Sequence, residues 1–363
     1  MRLCCAAFLL FALGGLAPVF AQSGAASAPP PLTPSNVANL NPVVVSGVQP
    51  GPGLWKVSKG DHVLWILGTL SPLPRRMTWQ SQQVADVIAG SQQVLLAPSI
   101  QMKLDVGFFG KLFLLPAAYS ARKNEDGKTL QQLLPPAQYV RWLVLKQQYL
   151  GNDRGIERWR PIFAAQELYG KALKANGLNN SGGIGSTVEA LARQHGIKPT
   201  PVVYQTVIEQ PRAAIKAFTA SGLDDTACFS HTLDSIEHDL PAMTARANAW
   251  ASGDLQTLQQ LPDSDRRDTC VAALTSAGFA HKLGLNDLPA RLRDAWLAAA
   301  RTALANHAQS FALLPIDQLL SPDGWLARLK AQGYAVESPQ EQDADDPAPA
   351  ASSAPAPAAS TPR

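Results

Sequence analysis

The chain has few charged residues, cysteines and histidines for its length of 363 residues. Only 16% of the residues are charged and no run of lysine and arginine exceeds two, so the clustered basic surface typical of nucleic-acid-binding proteins is missing. No apolar run reaches the roughly 20 residues of a membrane-crossing helix. Neither a GxSxG nucleophile elbow nor a lysine-containing phosphate loop occurs. We therefore predict no nucleic-acid partner and no stable membrane span in the mature chain.

The first 21 residues have the pattern of a secretory signal peptide. Arg2 provides a positive start, residues 8–16 form a short apolar run, and Val-Phe-Ala at residues 19–21 is a small-residue cleavage pattern. Cleavage after Ala21 predicts a periplasmic or secreted protein. An uncleaved signal anchor is the alternative.

Removal of this segment would leave Cys228 and Cys270 as the two cysteines of the mature chain. Neither has a cysteine or histidine neighbour at the spacing of a metal site. An oxidising compartment favours a disulfide between them, which would typically stabilise the fold by about 2–4 kcal/mol.

Composition divides the rest of the chain into three parts. Residues 22–52 contain no charged side chain and are rich in Pro, Ser, Ala and Asn, which predicts a flexible leader. Residues 339–363 combine Pro/Ala/Ser repeats with acidic residues and are predicted to be a disordered acidic tail. Residues 53–338 are predicted to form one α+β domain, in which short β-sheet segments from both ends are surrounded by many helices.

The predicted strands lie mainly at the ends of this domain. Residues 54–57 and 63–67 are expected to form a hairpin around the turn at residues 59–61, and residues 310–314 and 334–336 the last strands. A buried strand is also predicted at residues 201–204. The very apolar residues 104–119 contain Asp105 and Lys111, which favours an amphipathic or buried helix over a membrane element.

Five segments carry a resemblance to a known family. In chain order they are GTLS at residues 68–71, RWRPIFAA at 158–165, VEALARQHGI at 188–197, AWASGDL at 249–255, and the strand–helix–strand unit at 311–336. Together they resemble the TraB/PrgY/GumN family. The resemblance implies that family's α+β architecture and a metal-dependent hydrolytic site served by histidines in GxxH elements.

This chain departs from the family at the positions that the resemblance implies for the site. Ser71 stands in place of the first histidine and Asp317 in place of the second. Ala97 falls where the family often has a glutamate, and Gln205 where it has a carboxylate. A divalent metal prefers imidazole or carboxylate ligands, and of these four residues only Asp317 is a good one. The resemblance therefore implies a divergent member that lacks the GxxH histidines.

Other residues supply only weak candidates for chemistry. His231, Asp234 and His238 fall at i, i+3 and i+7, a spacing that gives either a three-ligand metal site on one helical face or an ordinary solvated face. The solvated face is favoured because no fourth ligand is evident. Ser71 as a nucleophile would need a neighbouring base, and the sequence assigns none.

Three functional hypotheses follow. The leading one is an exported pseudo-metallohydrolase, a non-catalytic protein that binds an envelope protein or glycan and needs no cofactor. The alternative is a divergent metal-dependent hydrolase or peptidase with a remodelled site, and the third is a purely structural envelope protein. In either of the first two, the expected cleft is formed by five residues: Gly68, Thr69, Ser71, Gln205 and Asp317.

Overall fold

The structure is a computed structural model that describes residues 52–75, 77, 79, 82–180, 183–261, 266–285 and 287–345. The predicted signal peptide, nearly all of the predicted leader, and the tail from residue 346 onward lie outside these residues.

Nine strands are described, and the two longest come from the two ends of the domain. They are β1 (Leu54–Lys59), β2 (His62–Thr69), β3 (Leu73–Pro74), β4 (Gln93–Leu95), β5 (Ser99–Leu104), β6 (Leu178–Asn179), β7 (Val203–Ile208), β8 (Gln309–Pro315) and β9 (Ala335–Glu337).

Helices make up most of the chain between β4 and β8, and of the helices described one precedes β4 and three follow β8. They are α1 (Gln82–Ala89), α2 (Phe108–Ala121), α3 (Leu130–Leu133), α4 (Pro136–Tyr149), α5 (Pro161–Ala175), α6 (Ile184–Gln194), α7 (Pro211–Thr219), α8 (Thr226–Asp234), α9 (Leu240–Ser252), α10 (Leu255–Gln260), α11 (Arg266–Thr275), α12 (Gly278–Lys282), α13 (Leu288–Asn306), α14 (Ile316–Leu320), α15 (Trp325–Ala331) and α16 (Pro339–Asp345). A π-helical turn, Ser235–Asp239, joins α8 to α9.

The main sheet has five strands in the order β4-β8-β2-β1-β9. β1 and β2 form the predicted antiparallel hairpin, and Gly60 in its two-residue turn has a φ of 59°, a conformation that suits glycine. β2 and β4 both pair with β8 in parallel, whereas β9 pairs antiparallel to β1. The sheet thus combines strands from both ends of the domain, which confirms the predicted α+β class.

Two large groups of buried side chains form the main cores, and a small third group consists of Ile208, Ala280, Leu285 and Leu288. The first packs the five-stranded sheet against residues of α1, α6, α9 and α13, with Trp250, Trp296 and Phe311 among its largest members. The second is mostly helical and is centred on Trp142 and Phe229, from α4 and α8. Helix α9 belongs to both, because its Met243 lies in the second core and its Trp250 in the first.

Three local predictions are corrected by the structure. The strand expected to be buried at residues 201–204 is β7, which pairs in parallel with β5 in a separate two-stranded sheet and is largely exposed. Of the apolar segment at 104–119, residues 108–119 lie in α2, and most of their side chains are exposed rather than buried. Residues 339–345 of the predicted disordered tail form α16, because Ser338 and Glu341 make a capping box at its start.

Among the described residues, we find no helix with both the length and the apolar character needed to cross a membrane.

Candidate functional site

The parallel pairing of β2 and β8 brings together the two segments that carry the predicted site. Gly68 pairs with Leu314 and Thr69 with Pro315, and both strands end there. Ser71 and Asp317 therefore occupy equivalent positions, each two residues beyond the last pair. Strands that run in parallel end at the same edge of a sheet, so these two side chains reach the same place.

A cavity of about 140 Å³ opens at this edge, between the sheet and the helical half of the domain. Ser71 and Asp317 both line it, as does Thr69. The other lining residues are Leu70, Pro72, Tyr169, Asp239, Met243, Arg246, Arg266, Arg267, Asp268 and Ile316. They come from the end of β2, from α5, α9, α11 and α14, and from the π-helical turn.

Gly68 shapes the sheet edge from beneath rather than lining the cavity. A Cβ atom on Gly68 would lie 2.3 Å from Cδ1 of Ile316, so only glycine lets α14 pack this closely on β2. The carbonyl of Gly68 accepts a hydrogen bond from Nε1 of Trp250 at 2.7 Å. Trp250 is buried and belongs to the AWASGDL segment. Its hydrogen bond to Gly68 therefore joins that segment to GTLS in the folded domain.

The polar groups of Ser71 and Asp317 are both engaged within the protein. Oγ of Ser71 donates a hydrogen bond to the carbonyl of Asn180 at 2.5 Å. A hydroxyl that donates to a carbonyl is not activated by a base, so this geometry offers no support for a nucleophilic serine. Oδ2 of Asp317 accepts a hydrogen bond from the side-chain amide of Gln318 at 2.7 Å.

Arginines dominate the opposite wall of the cavity. Arg246 is buried and donates to the carbonyls of Leu258 and Leu261, which hold its guanidinium in place. The guanidinium of Arg266 lies 3.8 Å from the ring centroid of Tyr169, within the range of a cation–π contact. Burial raises the pKa of the Tyr169 hydroxyl, and the positive charges of Arg266 and Arg267 oppose that shift.

A disulfide attaches the arginine-bearing helix to the rest of the domain. Cys270 on α11 is bonded to Cys228 on α8, as the cysteine count predicted. Helix α11 contains no buried residue among its described side chains, so apolar packing contributes little to its position. The bridge therefore holds Arg266, Arg267 and Asp268 at the cavity.

Two of the predicted site positions lie elsewhere. Gln205 is exposed on β7, opposite Gln101 of β5, and it is not among the described residues that line the cavity. The expected convergence of Ser71, Gln205 and Asp317 is therefore wrong for Gln205, because β7 belongs to a different sheet. Ala97 is partly buried and packs against the first core.

The alternative metal site on α8 is not formed. Within the described ranges, no group of three or more His, Cys, Asp or Glu side chains is arranged to hold a metal ion. Asp234 instead accepts a hydrogen bond from Arg141 at 2.6 Å, and the π-helical turn that follows it interrupts the regular helical spacing to His238.

The lining residues that the sequence did not reveal are Tyr169, Asp239, Arg246, Arg266, Arg267 and Asp268. One signal was available. The run Arg266-Arg267-Asp268 ends two residues before Cys270, so the predicted disulfide would restrict the position of these three residues. The remaining residues reach the cavity through helix packing that the local sequence does not encode.

The fold and the cavity define a class of α+β proteins with a polar site where parallel strands from the two ends of the domain meet. The family model for the TraB/PrgY/gumN family matches residues 53–338, most of the chain, and the protein belongs to this family. No curated protein and no solved structure matches the chain.

The residues at the cavity do not fit the divalent metal that the family resemblance implied. The two register-matched positions supply one hydroxyl, from Ser71, and one carboxylate, from Asp317. Asp239 and Asp268 also line the cavity, but no three of the described carboxylates converge to hold a metal ion, and three arginines share the same small volume. No histidine is among the described lining residues, so the usual nitrogen ligands are not at hand.

Proposed function

We propose that this protein is an exported, non-catalytic binding protein of the cell envelope and that the cavity at the ends of β2 and β8 is its binding site. The proposal is carried by one observation. Ser71 and Asp317 occupy matched positions in a cavity whose other charged groups are three arginines and two further aspartates. Such a set favours recognition of a charged group over hydrolysis.

The size and charge of the cavity indicate the kind of group it binds. A volume of about 140 Å³ accommodates the end or a side group of a larger molecule, well below the roughly 300–1,000 Å³ of sites that enclose whole ligands. Arginine binds carboxylates through paired hydrogen bonds, and aspartates accept from hydroxyl or ammonium groups. We infer a carboxylate-bearing group of an envelope glycan or protein that also carries hydrogen-bond donors.

Export supports an envelope location. The signal-peptide pattern at residues 1–21 predicts passage out of the cytoplasm. The Cys228–Cys270 disulfide is of the kind that persists in oxidising compartments.

The second candidate is a divergent hydrolase that uses the same cavity. The shared position of Ser71 and Asp317 favours it, because a remodelled site would be expected at this place. It would require a metal bound through Asp317, or a base that activates Ser71.

The experiment is cosedimentation of the purified chain with insoluble peptidoglycan sacculi, whose stem peptides carry carboxylates. We expect the chain to bind, and the Arg266→Gln/Arg267→Gln variant to bind about tenfold more weakly, because a charge-assisted hydrogen bond is worth roughly 1.5–3 kcal/mol. Arg193→Gln is the matched control, since Arg193 is an exposed arginine on α6 whose hydrogen bond is to Glu189.

Elemental analysis and casein hydrolysis on the same preparations separate the two candidates. Stoichiometric zinc or manganese, together with hydrolysis that Asp317→Asn abolishes, would overturn the binding proposal in favour of the hydrolase. Equal binding of sacculi by the double variant and by the wild-type chain would show that the cavity is not the site.

A further inference from the structure

Helix α2 exposes an unusually apolar surface. Its large side chains Phe108, Phe109 and Phe113 have exposed fractions of 78%, 72% and 68%. Leu112, Leu115 and Tyr119 are each more than half exposed as well. Soluble monomers rarely display contiguous apolar patches of this kind unless the patch binds something.

Four of the exposed side chains share one face of α2, and Phe109 and Phe113 are exposed on the flank of the helix beside it. Phe108, Leu112, Leu115 and Tyr119 recur at i, i+4, i+7 and i+11, so they form one stripe along α2. The buried residues of α2, Leu114 and Ala121, lie on the opposite side and attach the helix along a narrow line. The helix therefore projects a convex apolar surface.

The charges around this surface are of one sign within the two helices that form it. Helix α7, which packs beside α2, contributes Arg212 and Lys216, and Lys111 lies on α2 itself. Neither helix contains an acidic residue. Just beyond α2, Arg122 and Lys123 lie over the ring of Tyr119, while Asp105, before the helix, is the one acid between residues 99 and 123.

We propose that α2 inserts its apolar stripe into the surface of an anionic phospholipid bilayer, with its basic neighbours against the headgroups. Apolar side chains flanked by lysine and arginine are the composition of helices that lie in the membrane interface. At about 21 Å for 14 residues, α2 is too short to cross the roughly 30 Å hydrocarbon layer, so it would lie along the surface.

A lipid surface suits this geometry better than a second protein does. A protein partner must match a convex helix with a complementary groove, whereas lipid chains rearrange around it. The long stems of Lys111 and Lys123 can keep their charges at the headgroups while the stripe is buried. This inference concerns a different face from the cavity and does not depend on the proposed ligand.

The test is cosedimentation of the purified full chain with vesicles of pure phosphatidylcholine or of equal parts phosphatidylcholine and phosphatidylglycerol. We expect binding to the mixed vesicles that weakens as salt is added. Phe108→Ser/Leu112→Ser should lower the partition coefficient by roughly tenfold or more, the factor that corresponds to burying one or two such side chains. Both residues are exposed, so the fold should survive.

The matched control is Val140→Ser/Val144→Ser, which changes two exposed apolar residues one turn apart on α4. It should leave binding unchanged. Hydrogen exchange adds a local readout, because mixed vesicles should slow exchange in α2 and not in α4. This readout separates binding through α2 from binding through the apolar run at residues 8–16. Equal binding by the α2 variant, or unchanged exchange in α2, would overturn the proposal. A dimer that the α2 variant converts to a monomer, with no vesicle binding, would assign the surface to a second copy of the chain.

Discussion

Removing the Cys228–Cys270 disulfide should destabilise the fold and loosen the cavity together. The bridge joins residues 42 positions apart, and the loop-entropy relation gives about 4 kcal/mol for a loop of that length. The helix it holds, α11, has no buried residue among its described side chains. We therefore expect α11 to detach locally in the Cys228→Ala/Cys270→Ala variant before the rest of the domain unfolds.

Urea unfolding of the wild-type chain and of this variant measures the loss in the free energy of unfolding. Reductant should lower the free energy of unfolding of the wild-type chain by a similar amount and should not change that of the variant. Hydrogen exchange should accelerate in α11, and sacculi binding should weaken as Arg266 and Arg267 lose their position. A loss below about 1 kcal/mol with unchanged exchange in α11 would refute the view that the bridge holds this helix.

Two further predictions concern the packing and the charges of the domain. Gly68→Ala should lower the free energy of unfolding by about 1–3 kcal/mol, because its Cβ would overlap Cδ1 of Ile316. Ile316→Val should recover part of that loss in urea unfolding, and no recovery would contradict the contact. Burial raises the pKa of Asp225 above its usual 3.8, although its hydrogen bond from the Ile162 amide opposes the shift. The folded state then holds the Asp225 proton more tightly than the unfolded state, so wild-type stability should fall relative to Asp225→Asn as the pH rises from 3.8 through the raised pKa. Parallel stability–pH profiles for the two proteins would contradict this.

Local pattern predicted the elements of the main sheet well. The apolar runs around a glycine turn indicated the β1–β2 hairpin, and the strand–helix–strand pattern near the end of the domain indicated β8, α15 and β9. Pattern failed where burial depends on distant partners. A buried strand was expected at residues 201–204, yet β7 pairs with β5 away from the main sheet and remains largely exposed.

Part of the site was predictable for a similar reason. Ser71 and Asp317 were matched to the histidines of the family's two GxxH elements, and the structure places the segments before them in register on adjacent parallel strands. Gln205 was assigned to the same place because it stands where the family has a carboxylate, and that resemblance does not show which sheet the strand joins in this chain. Arg246 and Tyr169 were not predicted at all, because they reach the cavity from helices whose packing is set by the second core.

By itself, the sequence determined the α+β class, the hairpin, the likeness to the family and the loss of its histidines, since each depends on residue identity or short-range spacing. Only the tertiary structure decided that three arginines line the cavity beside Ser71 and Asp317, and that the apolar residues of α2 face outward. Both outcomes depend on contacts between segments far apart in the chain. Helical periodicity shows which residues share a face, but it does not show what that face meets.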